Sequence, residues 1–209
     1  QTETPIPNRD EDSHDILGTY KLVNNQKEMA TTPSNPEELL HILQYRHQIL
    51  LAARTSKKPG QFKDKNNRAG ETHFVDHALV RGTLIKGFDY YQALKEPFAK
   101  AAYIMFMISE IHPFLDGNGR IARIMMNAEL VKANQTRIII PTVYRDDYLG
   151  ALRRLTRNDD PAVYIRMLQR VQEFSATLTA IDMETLENQL TQSNAFKEYD
   201  EAKLKILKF

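Results

Sequence analysis

The run PFAKAAYIMFMISEI at 97–111 constrains this chain more than any other stretch. Phe98, Ala101, Tyr103, Ile104, Phe106, Met107 and Ile108 cover most faces of a helix, so the segment reads as a helix enclosed by protein. Its most apolar part, Ala101 to Ser109, lies between Lys100 and Glu110 and is far shorter than the roughly 20 residues a membrane-spanning helix needs. An enclosed helix requires others around it, and the sequence supplies them. Leu39, Leu40, Ile42, Leu43, Ile49, Leu50 and Leu51 recur at helical spacing after Pro36, with Ser34 or Asn35 available as N-cap. Leu84 to Leu94 is again densely apolar, and Ile121, Ile124, Met125, Ala128 and Val131 repeat at helical spacing up to Ala133-Asn134. Asp146 or Asp147 can open a helix through Leu155, and Asp160-Pro161 starts a long one carrying Val163, Ile165, Leu168, Val171 and Phe174. RIIIP at 137–141 fits a short strand or a buried loop. The expected fold class is all-α, with one small β-hairpin where Thr72, Phe74 and Val75 follow the breaker-rich loop SKKPGQFKDKNNRAG.

With 209 residues and 42% hydrophobic content, the chain is expected to form one domain with a substantial core. Residues 1–35 are polar and interrupted by Pro5, Pro7 and Pro33, and are expected to form an extended or loosely attached arm. Residues 36–175 would form the main domain and 176–209 a C-terminal helical extension. The 28 basic residues nearly balance the 27 acidic ones, so no direct nucleic-acid partner and no anionic membrane surface is expected. The first residues have neither a basic start nor an apolar core, so no secretory leader is expected, and the absence of cysteine fits the cytoplasm.

Between the enclosed helix and the next lies HPFLDGNGR, residues 112–120. GNGRIA at 117–122 fits a loose dinucleotide fingerprint, but that fingerprint needs a preceding strand, and a helix precedes it here. DGNG begins like a calcium loop, yet Ile121 stands where its glycine belongs and Asn127 where its glutamate belongs. No P-loop motif is present. The amides of Gly117 to Arg120 instead fall at the start of a helix, where unpaired N–H groups and the positive dipole end favour an anion, and glycines let a phosphate approach the backbone. Arg120 and Arg123 share one face near that start, where the dipole disfavours cations, so negative charge should lie beside them. It could be a polyphosphate or an internal carboxylate. Asp116 suits a Mg²⁺ ligand or a helix N-cap. His112 suits a general base near neutral pH or a helix-capping residue, and Phe114 suits a core anchor for the loop.

The stretch His112-Pro113-Phe114-Leu115-Asp116-Gly117-Asn118-Gly119-Arg120, continuing to Arg123, resembles the Fic (Fido) family signature H-x-F-x-[D/E]-G-N-G-R-x-x-R without departure. Similarity extends through PGQFKDKNNRAGETHFV and IIIPTVYRDDYLGAL, so it covers roughly residues 36–175 as a Fic catalytic domain. The resemblance implies a mainly α-helical Fic fold and a nucleotidyltransferase that moves AMP from ATP to a Ser, Thr or Tyr hydroxyl of a target protein (AMPylation, or adenylylation). His112 would then be the catalytic base and Asp116 would hold Mg²⁺. Phe114, Gly117, Asn118, Gly119, Arg120 and Arg123 would form the nucleotide site, with Asn118 at the α-phosphate, Arg120 at the β-phosphate and Arg123 at the γ-phosphate. Gly70, Glu71, Thr72, His73, Phe74 and Val75 correspond to the family's target-docking flap. Self-modification and homo-oligomers are compatible with this reading.

Other Fic-like chemistries stay open: transfer from another nucleotide, removal of AMP, or a catalytically idle nucleotide- or protein-binding module. The kinase-like variant carries lysine at the second glycine, and Gly119 is intact. The family's inhibitory pattern [S/T]-x-x-x-E-[G/N] has only near misses. Ser34 to Glu38 is followed by Leu39, Asn24 to Glu28 by Met29, and Glu187-Asn188 has Met183 where Ser or Thr belongs. Glu187 is the candidate inhibitory residue among them.

Overall fold

A computed structural model describes residues 10–198 and 200–207. The chain forms two compact units where one domain was expected, the first ending at Asn134 and the second beginning at Gln135.

The first unit contains α1 (Asp10–Val23), α2 (Gln26–Met29), α3 (Pro36–Leu50), the strands β1 (Arg68–Ala69) and β2 (Thr72–His73), α4 (Val80–Ala93), α5 (Pro97–Ile111) and α6 (Asn118–Lys132). The second contains α7 (Arg145–Asn158), α8 (Pro161–Ala176) and α9 (Met183–Gln192). The fold is all-α with a small hairpin, as the apolar periodicity indicates.

α5 is the enclosed helix. Ala101, Ala102, Ile104, Met105, Met107, Ile108 and Ile111 are buried, and α6 packs along it with Ile121, Ala122, Ile124, Met125, Met126 and Ala128. α3 starts where its cap residues indicate: Asn35 accepts a hydrogen bond from the Glu38 amide (2.8 Å), and Pro36 follows. The Ser34/Glu38 near miss is part of the same cap, because Glu38 Oε2 accepts from the Ser34 amide (2.9 Å) and hydroxyl (2.8 Å). β1 and β2 pair antiparallel in the register Arg68 with His73 and Ala69 with Thr72, and Gly70 at the turn has φ +57°.

The expected arm is mostly helical over its described residues, with α1 at Asp10–Val23 and α2 at Gln26–Met29, and is irregular from 30 to 35; residues 1–9 lie outside the described part. Polar anchoring explains why composition hid this. Fully buried Arg46 on α3 binds the Glu28 carboxylate (2.8 Å) and the carbonyls of Glu28 and Thr31 (2.7 Å each), so Glu28, the second near miss, is a structural ion-pair partner. Burying that guanidinium is tolerable because its donors are met by a carboxylate and two carbonyls. α1 also lies directly against the end of α3. A Cβ at Gly18 would stand 2.6 Å from the carbonyl oxygens of Ile49 and Leu50, closer than any side chain permits.

In the second unit α8 is capped by Asp160, which accepts from the Ala162 amide (3.0 Å), and Tyr148, Leu152, Tyr164, Leu168 and Val171 are buried. RIIIP contains no strand; Ile138 is buried and the Ile139 amide donates to Ser175 Oγ (2.9 Å). Among the described residues no helix is long and apolar enough to cross a membrane.

Candidate active site

α5 ends at His112, whose backbone is left-handed (φ 50°, ψ 60°) while its amide still bonds the Ile108 carbonyl (3.0 Å). This turn throws the imidazole out of the helix line and brings Nδ1 to 2.8 Å from the Ser109 carbonyl. A carbonyl only accepts, so Nδ1 carries the proton and Nε2 of the neutral ring is left as a base. Burial holds the imidazole below its ordinary 6.5, and the nearby Lys63 ammonium adds to that, while the Ser109 carbonyl and the Asp116 carboxylate act in the opposite direction. The ring is therefore neutral, and able to take a proton, at neutral pH.

From His112 the chain turns through 113–117 into α6. The loop is held from inside by Asn118, whose Oδ1 accepts from the Phe114 amide and whose Nδ2 donates to the Phe114 carbonyl, both at 2.8 Å. Its carboxamide is engaged within the loop, so Asn118 shapes the site that it also borders. The nucleotide-site role implied for Phe114 is corrected. Phe114 is fully buried and stacked on His47 (centroids 3.8 Å apart, planes 3° apart), an anchor and no part of the cavity wall.

Gly117 caps α6 with φ +75°, and no side chain caps that end. The Asp116 carboxylate is thus not the helix N-cap, although Oδ1 lies 2.6 Å from the Gly117 amide. An open cavity of about 300 Å³ faces this helix start. His112, Asp116, Arg120 and Arg123 border it together with the backbone at Gly117 to Gly119, as the sequence indicated, and Asn67 and Arg68 border it from the hairpin side. A Cβ at Gly119 would meet Arg123 Nη1 at 3.5 Å, an ordinary van der Waals contact. Of the hairpin residues singled out in the sequence, Gly70, Glu71 and His73 are exposed, Thr72 and Val75 are half-buried, and Phe74 lies on His112.

The negative charge expected beside the arginines is supplied, at Arg120, by the protein. Arg120 Nη1 is ion-paired with Asp15 of α1, a nearly buried carboxylate that also binds Arg54 (2.6 Å). Arg54 reaches Asp12 (3.1 Å) and approaches Asp116 (3.8 Å), and Arg120 approaches Asp116 at the same distance. Glu187 lies exposed on α9 in the second unit.

Sequence reasoning missed six residues: Asn67 and Arg68 at the cavity, and Asp15, Arg54, Lys63 and His47 around it. Asp15 and Arg54 sit in stretches too polar to suggest anything but solvent. Lys63 is buried and donates to Asn67 Oδ1 (2.7 Å) and the Ile111 carbonyl (3.3 Å), and its ammonium is pushed down to about 8 by burial, which Asp76 partly opposes. His47 accepts from the Gly60 amide at Nδ1 (2.9 Å), so Nε2 is the donor to the Asp116 carbonyl (3.1 Å). A histidine inside an apolar helical repeat was the one available signal.

Protonating His47 would break the Gly60 bond, and its burial lowers it from 6.5 to about 4. A folded-state value below the unfolded one means stability is fully present above pH 6.5 and declines as pH falls toward 4. The whole shift corresponds to on the order of 3 kcal/mol. Urea unfolding between pH 7.5 and 5 should show this decline, and His47→Gln should flatten it.

With this geometry in place, comparison with known proteins decides the family. The Fic/DOC family profile matches residues 18–130, more than half of the 209-residue chain. The chain belongs to the Fic/DOC family. A protein adenylyltransferase Fic of Drosophila persimilis is 38% identical over 72 residues, which cover 34% of this chain and 14% of that protein. The match therefore spans a small part of the relative's length. A Fido domain-containing protein of Dictyostelium discoideum is 29% identical over 103 residues, covering 47% of this chain and 72% of that one. Two solved structures share the fold. C. elegans Fic-1 has a TM-score of 0.65 at 16% identity, over 91% of this chain and 55% of that one. A Fic domain-containing signalling protein of Bacteroides thetaiotaomicron has a TM-score of 0.67 at 17% identity, over 87% and 74%.

Proposed function

We propose that this Fic-family chain is a protein adenylyltransferase, moving AMP from ATP to a Ser, Thr or Tyr hydroxyl of a target protein. The observation that carries the reading is the pinning of His112 Nδ1 to the Ser109 carbonyl, which leaves Nε2 basic on the wall of the cavity that Arg120, Arg123 and the uncapped start of α6 also border.

In this reading the triphosphate lies along the α6 N-terminus, with its charge met by backbone amides and by the two guanidiniums. His112 Nε2 takes the proton of the target hydroxyl. The hydroxyl oxygen bonds to the α-phosphorus, the bond from that phosphorus to the β-phosphate bridge breaks, and pyrophosphate leaves with its negative charge opposed by Arg120 and Arg123. Such a transfer depends mainly on positioning and charge stabilisation, which is what this cavity offers. Asp116 fits a magnesium ligand, because its carboxylate is half-exposed at the cavity and its nearest guanidiniums stay 3.8 Å away. No cluster of three or more metal-ligating side chains occurs among the described residues, which suits an ion held by one carboxylate and the nucleotide. When bound, Mg²⁺ would neutralise phosphate charge. The exposed hairpin around Thr72 and His73 suits main-chain pairing with a target segment. Because Asp15 pairs with Arg120, nucleotide binding in this reading displaces it.

Mass spectrometry of the chain and of lysate proteins after incubation with ATP and Mg²⁺ tests the proposal. An AMP adduct on a hydroxyl residue is the expected result. A phosphate adduct would replace the reading with phosphoryl transfer, and bound ATP without any adduct would replace it with a binding module.

A further inference from the structure

The Phe74 ring lies flat on the His112 imidazole, with centroids 3.6 Å apart and planes 5° apart. The contact joins the hairpin, which contributes Asn67 and Arg68 to the cavity, to the base at the end of α5. It is backed by a strap of polar bonds. The Lys63 amide donates to the Pro113 carbonyl (2.8 Å), and Asn67 Nδ2 donates to the Phe114 carbonyl (2.9 Å). The buried Lys63 ammonium binds both Asn67 Oδ1 and the Ile111 carbonyl, and the Phe74 amide reaches the Asn67 carbonyl (3.4 Å). Residues 63–74 are thus stitched to the carbonyls on either side of His112, and Phe74 is the side chain this stitching sets on the ring.

We propose that Phe74 is a positioning residue for His112: it covers one face of the imidazole and, together with the Nδ1 bond to the Ser109 carbonyl, fixes the plane in which Nε2 meets the incoming hydroxyl. One hydrogen bond leaves an imidazole free to rock about the axis of that bond, and a flat aromatic neighbour removes the motion. The same ring keeps water from one face and so favours the neutral form. Phe74 follows directly on β2, so a target strand paired to Thr72–His73 would act one residue from the side chain that lies on the base. Docking of the target and alignment of the base are thereby coupled. The catalytic part of this inference rests on the proposed adenylyl transfer; the effect on the imidazole does not.

The charged groups that bear on the ring are Lys63 from the loop before the hairpin and Asp116 from the motif, while Arg120 and Arg123 border the same cavity from α6. All are kept in the experiment. The chain and its Phe74→Ala, Phe74→Leu and Phe74→Tyr variants are titrated by histidine ¹⁵N NMR without nucleotide, with the His112 signal assigned through His112→Gln. In the unsubstituted chain His112 should titrate below 6.5 as the Nδ1–H tautomer. Phe74→Ala should move the midpoint up toward 6.5 and mix the tautomers, Phe74→Leu should mix the tautomers while keeping most of the cover, and Phe74→Tyr should behave like phenylalanine. AMP transfer should fall in Phe74→Ala by on the order of 10- to 100-fold, in kcat and not in KM for ATP. If Phe74→Ala fails to fold, Phe74→Leu decides by its tautomer mixture. An unchanged midpoint and tautomer in the folded variants overturns the proposal even if AMP transfer is real. A shifted midpoint in a chain that transfers no AMP upholds the effect of Phe74 on the ring and overturns only its catalytic part.

Discussion

Replacing His112 with alanine is expected to lower AMP transfer by on the order of 10²- to 10⁴-fold, the usual contribution of a positioned general base, while ATP affinity stays within about twofold. The two halves of this expectation come from different parts of the geometry. Proton acceptance falls to Nε2, because the Ser109 carbonyl occupies Nδ1. Anion binding in this reading falls to Arg120, Arg123 and the amides at the start of α6, which border the same cavity. The acid limb of the transfer rate in the unsubstituted chain should lie below 6.5, since burial and Lys63 oppose the imidazolium. Equal labelling by His112→Ala and the unsubstituted chain would show that some other group takes the proton. Loss of ATP binding in the variant would show that His112 supports the loop and not the chemistry.

The second large effect should be a gain. Asp15 of α1 holds the guanidinium that the β-phosphate would need, so Asp15→Ala should tighten ATP binding by on the order of 10- to 100-fold, the worth of one charge-assisted contact no longer in competition. Asp15→Asn keeps the shape without the charge and should move in the same direction by less. Gly18→Ala offers an independent route to this release, because a Cβ there collides with backbone oxygens of α3 and must push α1 outward. Isothermal titration with Mg²⁺-ATP reads all three variants. Weaker binding in all of them would mean that α1 supports the nucleotide site instead of competing for it.

How far the sequence reveals this molecule depends on the kind of force involved. α3, α5, α6 and α8 are visible because apolar spacing and local caps specify them; Asn35 and Asp160 cap where side-chain chemistry alone would place them. α1 is invisible for the opposite reason. What docks it is the absence of a side chain at Gly18 and an ion pair between residues 105 positions apart, and neither leaves a periodic trace. The motif is legible as a set, yet sequence spacing does not distribute its tasks: Asn118 and Phe114 turn inward to build the loop, while Asn67 and Arg68 reach the cavity from a segment that reads only as a basic turn. His47 shows the same limit. Its two ring nitrogens hold Gly60 and Asp116, a role set by which loops fold over α3 and not by its neighbours in sequence.

The most direct measurement of the central claim is transfer of label from ATP carrying it at the α- or the γ-phosphate, with Mg²⁺ and lysate. It is made in the Asp15→Ala chain, where the α1 carboxylate no longer competes, and in the Asp15→Ala, His112→Ala double variant. Adenylyl transfer through His112 predicts protein labelling from the α-position alone, lost in the double variant. Labelling from the γ-position, or α-labelling that persists without His112, would contradict it.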